Sequence, residues 1–194
     1  GKPILTWSAE AFDAVGDVGL IVIVCPEDRQ EEYLNRAINP FPFVTPIVVA
    51  PSGPSRQESA FSGLEYVTDA RPLVSPELIL HTINTCKGNI DCDGVIVGHP
   101  AVDTLKIVED GVIMGTPDRR VFWDAQTPQV FRTEEIRTVL RRAIAQGLPL
   151  TDDCSAMEAA GRPVGLTPGD VENLKITTPV DLRIAEAIWK GRTT

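Results

Sequence analysis

Three short runs of consecutive apolar residues, rich in valine and isoleucine, restrict the folds open to this chain more than any other feature. They span residues 19–25, 45–50 and 94–98. A strand that is apolar at nearly every position is typical of a parallel sheet that helices cover on both faces, because neither face then meets water. The runs therefore predict buried strands of a layered α/β domain.

Helix signals lie between and after these strands. Ser75 is a predicted N-cap and is followed by proline at the first helical position. Apolar residues then recur at helical spacing. A second apolar stripe begins at Thr133 and ends near Gly147, and a third helix begins at Thr178-Pro179. Strands that alternate with helices predict right-handed βαβ units, and a length of 194 residues favours one domain.

The segment from about residue 102 to residue 123 breaks this alternation. It consists of short alternating stretches around Asp110-Gly111, a pair typical of a two-residue hairpin turn. We expect a protruding β-arm here, within a single domain that spans residues 1–194.

The net charge of −9 narrows the classes of partner. An acidic surface repels nucleic acid and anionic membranes, so a phosphate-bearing ligand needs a local basic pocket. The sequence has no apolar run of bilayer length and no secretion signal, which predicts a cytoplasmic protein. The four cysteines lack C-x-x-C spacing, which favours reduced thiols over a zinc site or disulfides.

The stretch DAQTPQVFR, residues 124–132, fits neither helical nor strand periodicity and is too polar for a strand. Proline holds its own φ near −65° and pushes the preceding residue out of the helical region, so Thr127-Pro128 restrains the backbone and aims the Thr127 hydroxyl. By themselves these residues leave two interpretations open, an ordinary polar turn and a ligand site.

Several motifs, in order along the chain, together resemble one family. They are PSGPSRQESAFSGL at 51–64, ARPLVSPELI at 70–79, TPDR at 116–119, WDAQTPQVFR at 123–132, TDDCSAMEAAG at 151–161 and PGDVENLKITTPVDLRIAEAI at 168–188. The chain resembles the 2-C-methyl-D-erythritol 4-phosphate cytidylyltransferases of non-mevalonate isoprenoid biosynthesis over nearly its whole length. The resemblance implies a Rossmann-like nucleotidyltransferase sheet in a three-layer α/β/α fold, with a β-arm used for homodimerisation.

The reaction implied by this resemblance is transfer of CMP from CTP to a sugar-alcohol phosphate, with Mg²⁺ and release of pyrophosphate. The acceptor phosphate attacks the α-phosphorus of CTP, so catalysis depends on positioning two anions and neutralising charge. Arg119 and Lys175 correspond to the family's basic residues that hold the acceptor phosphate. The alternative for each is an ordinary solvated surface cation.

Three threonines resemble acceptor-site hydroxyls of the family: Thr104, Thr127 and Thr151. A hydroxyl can donate to a phosphate or polyol oxygen and accept in return. Thr151 also precedes a predicted helix at 152–160, so an N-cap is its alternative role.

Gly53 and Ser59 resemble the segment that binds CTP and reads its cytosine, although Pro54 lacks the N–H donor that some relatives use there. Their alternative role is simply to begin a helix. Arg71 resembles the arginine of the family's H-D-A-A-R-P motif, whose aspartate binds the metal. Here the motif is one alanine short and lacks the histidine, so Asp69 is either the candidate metal ligand or merely the end of the preceding helix. Glu172 is a second candidate carboxylate or a plain surface acid.

The chain departs from the family at two places. The glycine-rich loop with its arginine and lysine does not occur in the sequence, and residues 63–72 contain almost no apolar strand before Arg71. We expect that the protein has further segments that carry these parts. Two alternatives stay open: an enzyme that uses ribitol 5-phosphate, and a non-catalytic binding relative. A nicotinamide dehydrogenase is disfavoured because G-x-G-x-x-G does not occur.

Overall fold

A computed structural model describes residues 1–63 and 71–192 of the chain. Its strands are β1 Ile21–Cys25, β2 Ile47–Pro51, β3 Gly94–Pro100, β4 Ile107–Glu109, β5 Val112–Gly115, β6 Trp123–Phe131 and β7 Val164–Pro168. Its α-helices are α1 Ile4–Asp13, α2 Gln30–Tyr33, α3 Arg56–Gly63, α4 Pro76–Gly88, α5 Thr133–Gln146, α6 Asp153–Ala159 and α7 Pro179–Arg192. Short 3₁₀ helices at Glu27–Arg29 and Arg119–Val121 and a π-helical turn at Leu34–Ile38 complete the described elements.

The three apolar runs form β1, β2 and β3, as predicted. Within the described residues, β1 and β2 form a parallel two-stranded sheet, and β3 is the central strand of a three-stranded sheet, antiparallel to β6 and parallel to β7. The prediction of full burial was wrong for β2, where Val48 is 44% exposed. None of the five β2 residues is fully buried, whereas alternate residues of β1 are.

The helices cover both faces of the sheet. Side chains alternate along a strand, and Ile21, Ile23 and Cys25 of β1 pack into an apolar cluster with residues of α1 and α4. On the opposite face, Val24 of β1 lies against Gly63 of α3, and a second cluster joins α3, α5 and α6. This arrangement confirms the predicted three-layer α/β/α architecture.

Local signals set the helix boundaries. The Ser75 hydroxyl accepts a hydrogen bond from the Leu78 N–H at 3.1 Å, which caps α4 as predicted. Helix α5 ends at Gly147, whose φ of 61° places it in the left-handed region that a glycine adopts without steric cost.

Strand β6 runs through the polar stretch at 124–132, so the prediction that this stretch is too polar for a strand was wrong. The strand accommodates its polar residues through an irregularity: Ile96 of β3 faces Gln129 and Val97 faces Gln126, which leaves Thr127 and Pro128 without partners on β3. Such a bulge redirects side chains and often lies beside functional sites.

A hairpin occupies the middle of the segment predicted to form the β-arm. Strands β4 and β5 pair through a turn at Asp110-Gly111, where both residues have positive φ, 45° and 80°. Apolar residues of this hairpin are exposed: Ile107, Val108, Val112, Ile113 and Met114.

The described helices include none that is long and apolar enough to cross a bilayer. All four cysteines carry free thiols.

Candidate active site

The loop that follows β2 brings Gly53 and Ser59 together. The Ser59 hydroxyl accepts a hydrogen bond from the Gly53 N–H at 3.0 Å and donates to the Ser55 carbonyl at 2.9 Å. A Cβ on Gly53 would lie 2.3 Å from the Cβ of Glu58, so only glycine fits there without a shift of the backbone. Ser59 lies inside α3 and holds this turn closed.

This loop borders an open space beside the sheet. Ser52 and Ser59 line a cavity of about 260 Å³, together with β1 and α1. Gln57 of α3 donates to the Leu148 carbonyl at 3.1 Å, which ties the loop to the segment before α6.

Thr127 lies in the β6 bulge and is buried, with 5% of its surface exposed. Its hydroxyl makes no hydrogen bond to any other residue within the described ranges. Its carbonyl accepts a hydrogen bond from the side-chain amide of Asn173 at 2.8 Å. The bulge is therefore held from the loop that follows β7.

The two glutamines that flank Thr127-Pro128 each hold a different loop. Gln126 donates to the Asp170 carbonyl at 3.0 Å, in the loop after β7 that leads to Lys175. Gln129 donates to the Asp152 carboxylate at 2.8 Å and accepts from the Cys154 N–H at 3.2 Å. One strand thereby fixes two of the segments that carry predicted site residues.

Thr151 lies just before α6 and is exposed. The alternative that it caps this helix was wrong, because Asp152 is the N-cap and accepts from the Ser155 N–H at 2.8 Å. The Thr151 hydroxyl is therefore not used as a helix cap.

Arg71 is buried, with 6% of its surface exposed. Its guanidinium donates to the carbonyl of Asn173, so Arg71 and Thr127 contact the same residue from two sides. Lys175 lies two residues further along this loop and is exposed.

The base of the hairpin carries Arg119 and Thr104. Arg119 donates to the carbonyl of Val102 and contacts no carboxylate among the described residues, whereas its neighbour Arg120 forms an ion pair with Asp118 at 2.6 Å. Hydrogen bonds from Arg120 hold the pKa of the Asp118 carboxyl below its ordinary value. The pairing of Asp118 with Arg120 leaves the charge of Arg119 available, and Thr104 is exposed beside this base.

The structure describes only one of the two carboxylates, Asp69 and Glu172, that were predicted as metal ligands. Asp69 lies outside the described residues. The Glu172 carboxylate pairs with Arg192 at 2.9 Å, and Arg192 also donates to the Leu73 carbonyl at 3.1 Å, so Glu172 has a structural partner. Within residues 1–63 and 71–192 no group of three histidine, cysteine or carboxylate side chains could hold a metal ion.

Several predicted residues follow the carboxyl ends of described strands. Gly53 follows the carboxyl end of β2, Thr104 follows that of β3, and the Lys175 loop follows that of β7. Ligands of open α/β sheets bind outside the carboxyl ends of the strands. Sequence reasoning missed the roles of Gln126, Gln129 and Asn173, although all three belong to the motifs that carried the resemblance.

The family model described as 2-C-methyl-D-erythritol 4-phosphate cytidylyltransferase, IspD, matches residues 1–191. The chain belongs to this family. The resemblance noted from the motifs is thereby confirmed.

Curated members of the cytidylyltransferase family are similar along almost the whole chain. The enzyme of Caldanaerobacter subterraneus is 37% identical over 96% of this chain and 86% of its own length. That of Synechococcus elongatus is 36% identical over 99% of this chain and 86% of its own.

Solved structures of cytidylyltransferase family members also match. The 4-diphosphocytidyl-2C-methyl-D-erythritol synthase of Anaerococcus prevotii superimposes with a TM-score of 0.86 at 28% identity, over 98% of this chain and 87% of that one. The enzyme of Thermus thermophilus superimposes with a TM-score of 0.80 at 28% identity, over 98% and 90%. These matches confirm the Rossmann-like nucleotidyltransferase fold.

Proposed function

We propose that this chain forms one nucleotidyltransferase domain that transfers CMP from CTP to 2-C-methyl-D-erythritol 4-phosphate and releases pyrophosphate. The observation that carries the proposal is the convergence of Arg71 and Thr127 on Asn173, beside the loop of Lys175. In a chain of net charge −9, a phosphate-bearing substrate requires local cations and hydroxyls, and the proposal assigns these roles to the predicted residues.

The acceptor phosphate lies, in this proposal, between Arg119 and Lys175. Arg119 binds phosphate oxygens through two parallel hydrogen bonds, and Lys175 adds a compact positive charge. Thr104, Thr127 and Thr151 provide hydroxyls for the remaining phosphate and polyol oxygens.

The chemical step is an in-line displacement at phosphorus. An oxygen of the acceptor phosphate forms a bond to the α-phosphorus of CTP, the bond from this phosphorus to the bridging oxygen of the β-phosphate breaks, and its electron pair leaves on pyrophosphate. The cations lower the barrier because they hold both anions in line and neutralise the charge that builds up.

CTP binds, in this proposal, at the Gly53–Ser59 loop and in the cavity beside β1. Gly53 permits the close approach of Glu58 that gives this loop its shape. In this proposal Arg71, which is held by the Asn173 carbonyl, contributes positive charge toward the triphosphate.

The proposed cofactor is Mg²⁺, with Asp69 as its protein ligand. Mg²⁺ is commonly bound through one or two carboxylates together with substrate phosphates, which fits a site with a single candidate aspartate. When bound it would offset the negative charge of the phosphates. A partner copy, joined through the β-arm, completes the proposed homodimer, and the free thiols fit a reducing cytoplasm.

The test of this function is an acceptor panel with the purified full-length protein, CTP and Mg²⁺. Pyrophosphate release and product mass are measured with 2-C-methyl-D-erythritol 4-phosphate and, in parallel, with ribitol 5-phosphate. With the first acceptor we expect equimolar pyrophosphate and 4-diphosphocytidyl-2-C-methyl-D-erythritol, and with the second a kcat/KM at least about tenfold lower. A preference for ribitol 5-phosphate, or binding of CTP without turnover of either acceptor, would contradict the proposal.

A further inference from the structure

Asn173 lies in the loop between β7 and α7 and is almost fully buried, with 1% of its surface exposed. Its side-chain amide donates to the Thr127 carbonyl at 2.8 Å and lies 3.3 Å from the Gln126 side-chain oxygen. Its own carbonyl accepts from the Arg71 guanidinium. One residue therefore contacts two segments that are 46 and 102 positions away along the chain.

The orientation of this amide follows from its neighbours. The Thr127 carbonyl and the Gln126 oxygen are both acceptors, so the NH₂ group must face them and the Asn173 oxygen must point the other way. Within the described residues that oxygen is buried and has no hydrogen-bond partner. Both contacts of the Asn173 amide therefore join the loop to strand β6.

Gln126 extends the same network to the start of the loop. Its side chain accepts from Asn173 and donates to the Asp170 carbonyl at 3.0 Å. The neighbouring loop residue Gly169 comes so close that a Cβ there would lie 2.4 Å from the Gln126 oxygen. The loop is thus held against the β6 bulge at two points, and Lys175 follows directly.

We propose that Asn173 is a positioning residue for the nucleotidyl transfer: it fixes Arg71, Thr127 and the backbone that carries Lys175 relative to one another without touching the substrate. The inference rests on the proposed function. Groups that act on two anions must be held in register, and a displacement of about 1 Å can cost on the order of 100-fold in rate.

Asn173→Leu is the principal test because leucine has a similar volume and carries no polar atom. We expect it to fold with reduced stability, because the Thr127 carbonyl loses its donor. Its kcat/KM for 2-C-methyl-D-erythritol 4-phosphate should fall about 100-fold. The change should affect the kinetics of this acceptor, whereas the KM for CTP should change less than about threefold. Gln126→Met, which removes the bond to Asp170, should act in the same direction, and the two changes should be less than additive.

Thr82→Val provides the matched control. Thr82 is fully buried in α4 and its hydroxyl donates to the Leu78 carbonyl at 2.7 Å, away from this network. This variant should lose stability yet keep kcat/KM within about threefold of the unchanged protein, because additivity holds for a site that shares no partners with the network.

Hydrogen exchange gives a readout that does not depend on turnover. In Asn173→Leu, peptides covering 125–131 and 169–176 should exchange together at least about tenfold faster, whereas Thr82→Val should leave both unchanged. Unaltered exchange, or wild-type kcat/KM in a folded variant, would overturn the inference. If Asn173→Leu does not fold, Gln126→Met decides by the same two measurements. Failure of the proposed function shows separately, as the absence of pyrophosphate release by the unchanged protein.

Discussion

At the scale of single residues, Arg119 differs from the adjacent Arg120 in the groups that it contacts. Asp118 forms its ion pair with Arg120, while Arg119 contacts a backbone carbonyl at the hairpin base. Because the Asp118 carboxylate is already paired with Arg120, it attracts the Arg119 guanidinium less strongly. The two adjacent arginines therefore have different contacts, and the proposal assigns phosphate binding to Arg119.

Arg119→Ala should raise the KM for the acceptor phosphate about 10- to 100-fold, because it removes charge-assisted hydrogen bonds to the phosphate. Initial rates at several acceptor and CTP concentrations measure the effect. Arg142→Ala is the control, since it deletes the same charge from an exposed position on α5. Equal effects of the two changes would mean that only net charge matters.

At the scale of elements, helix α7 begins directly after the loop that carries Lys175, and Asp181 in its first turn holds this junction. The Asp181 carboxylate accepts from the backbone and hydroxyl of Thr177 and from the backbone of Thr178, at 2.7–2.9 Å. These hydrogen bonds, led by the Thr177 backbone, lower the pKa of Asp181 to about 2. The ordinary pKa of an unfolded aspartate is about 3.9. The ionised Asp181 carboxylate therefore stabilises the fold above pH ~4, and this stabilisation is lost as the pH falls through about 2.

Asp181→Asn should lower the melting temperature by about 3 °C at pH 7. The difference from the unchanged protein should shrink by half or more near pH 2, where the aspartate itself becomes protonated. Thermal unfolding followed by circular dichroism at pH 7, 4.5 and 2.5 measures it. Asp91→Asn, at an exposed turn position, is the matched control. A difference that does not depend on pH would contradict a role for the ionised carboxylate.

At the scale of the whole molecule, the hairpin presents an apolar surface that the described part of this chain does not cover. Ile113 is 61% exposed and Val112 is 62% exposed. Contiguous exposed apolar residues commonly mark a protein interface. The proposed homodimer would bury them against a second copy and place the base of the arm, with Arg119, beside that interface.

Ile113→Asp should convert the protein from a dimer to a monomer at micromolar concentration, because dimerisation would bury the new charge. Sedimentation velocity over a concentration series measures the change. Ile90→Asp is the control, since Ile90 is 87% exposed but lies outside the arm. A monomeric unchanged protein, or a dimer that Ile113→Asp leaves intact, would refute the arm as the contact.

The sequence by itself determined the features that have local causes. Runs of apolar β-branched residues produced β1 and β3, Ser75 capped α4, Gly147 ended α5, and Asp110-Gly111 turned the hairpin. In each of these cases the residues that cause the structure are within a few positions of one another. The motifs also identified the family and, through it, the candidate site residues.

Only the tertiary structure decided how these residues are held. Strand β6 includes a polar stretch because its bulge places Thr127 opposite a loop that is 46 residues away, where Asn173 satisfies its carbonyl. Glu172 pairs with Arg192 instead of standing free, and Gln129 reaches the cap of α6. Such contacts depend on the distances that the packed sheet imposes between remote segments, and the periodicity and capping patterns of a sequence describe only neighbours along the chain.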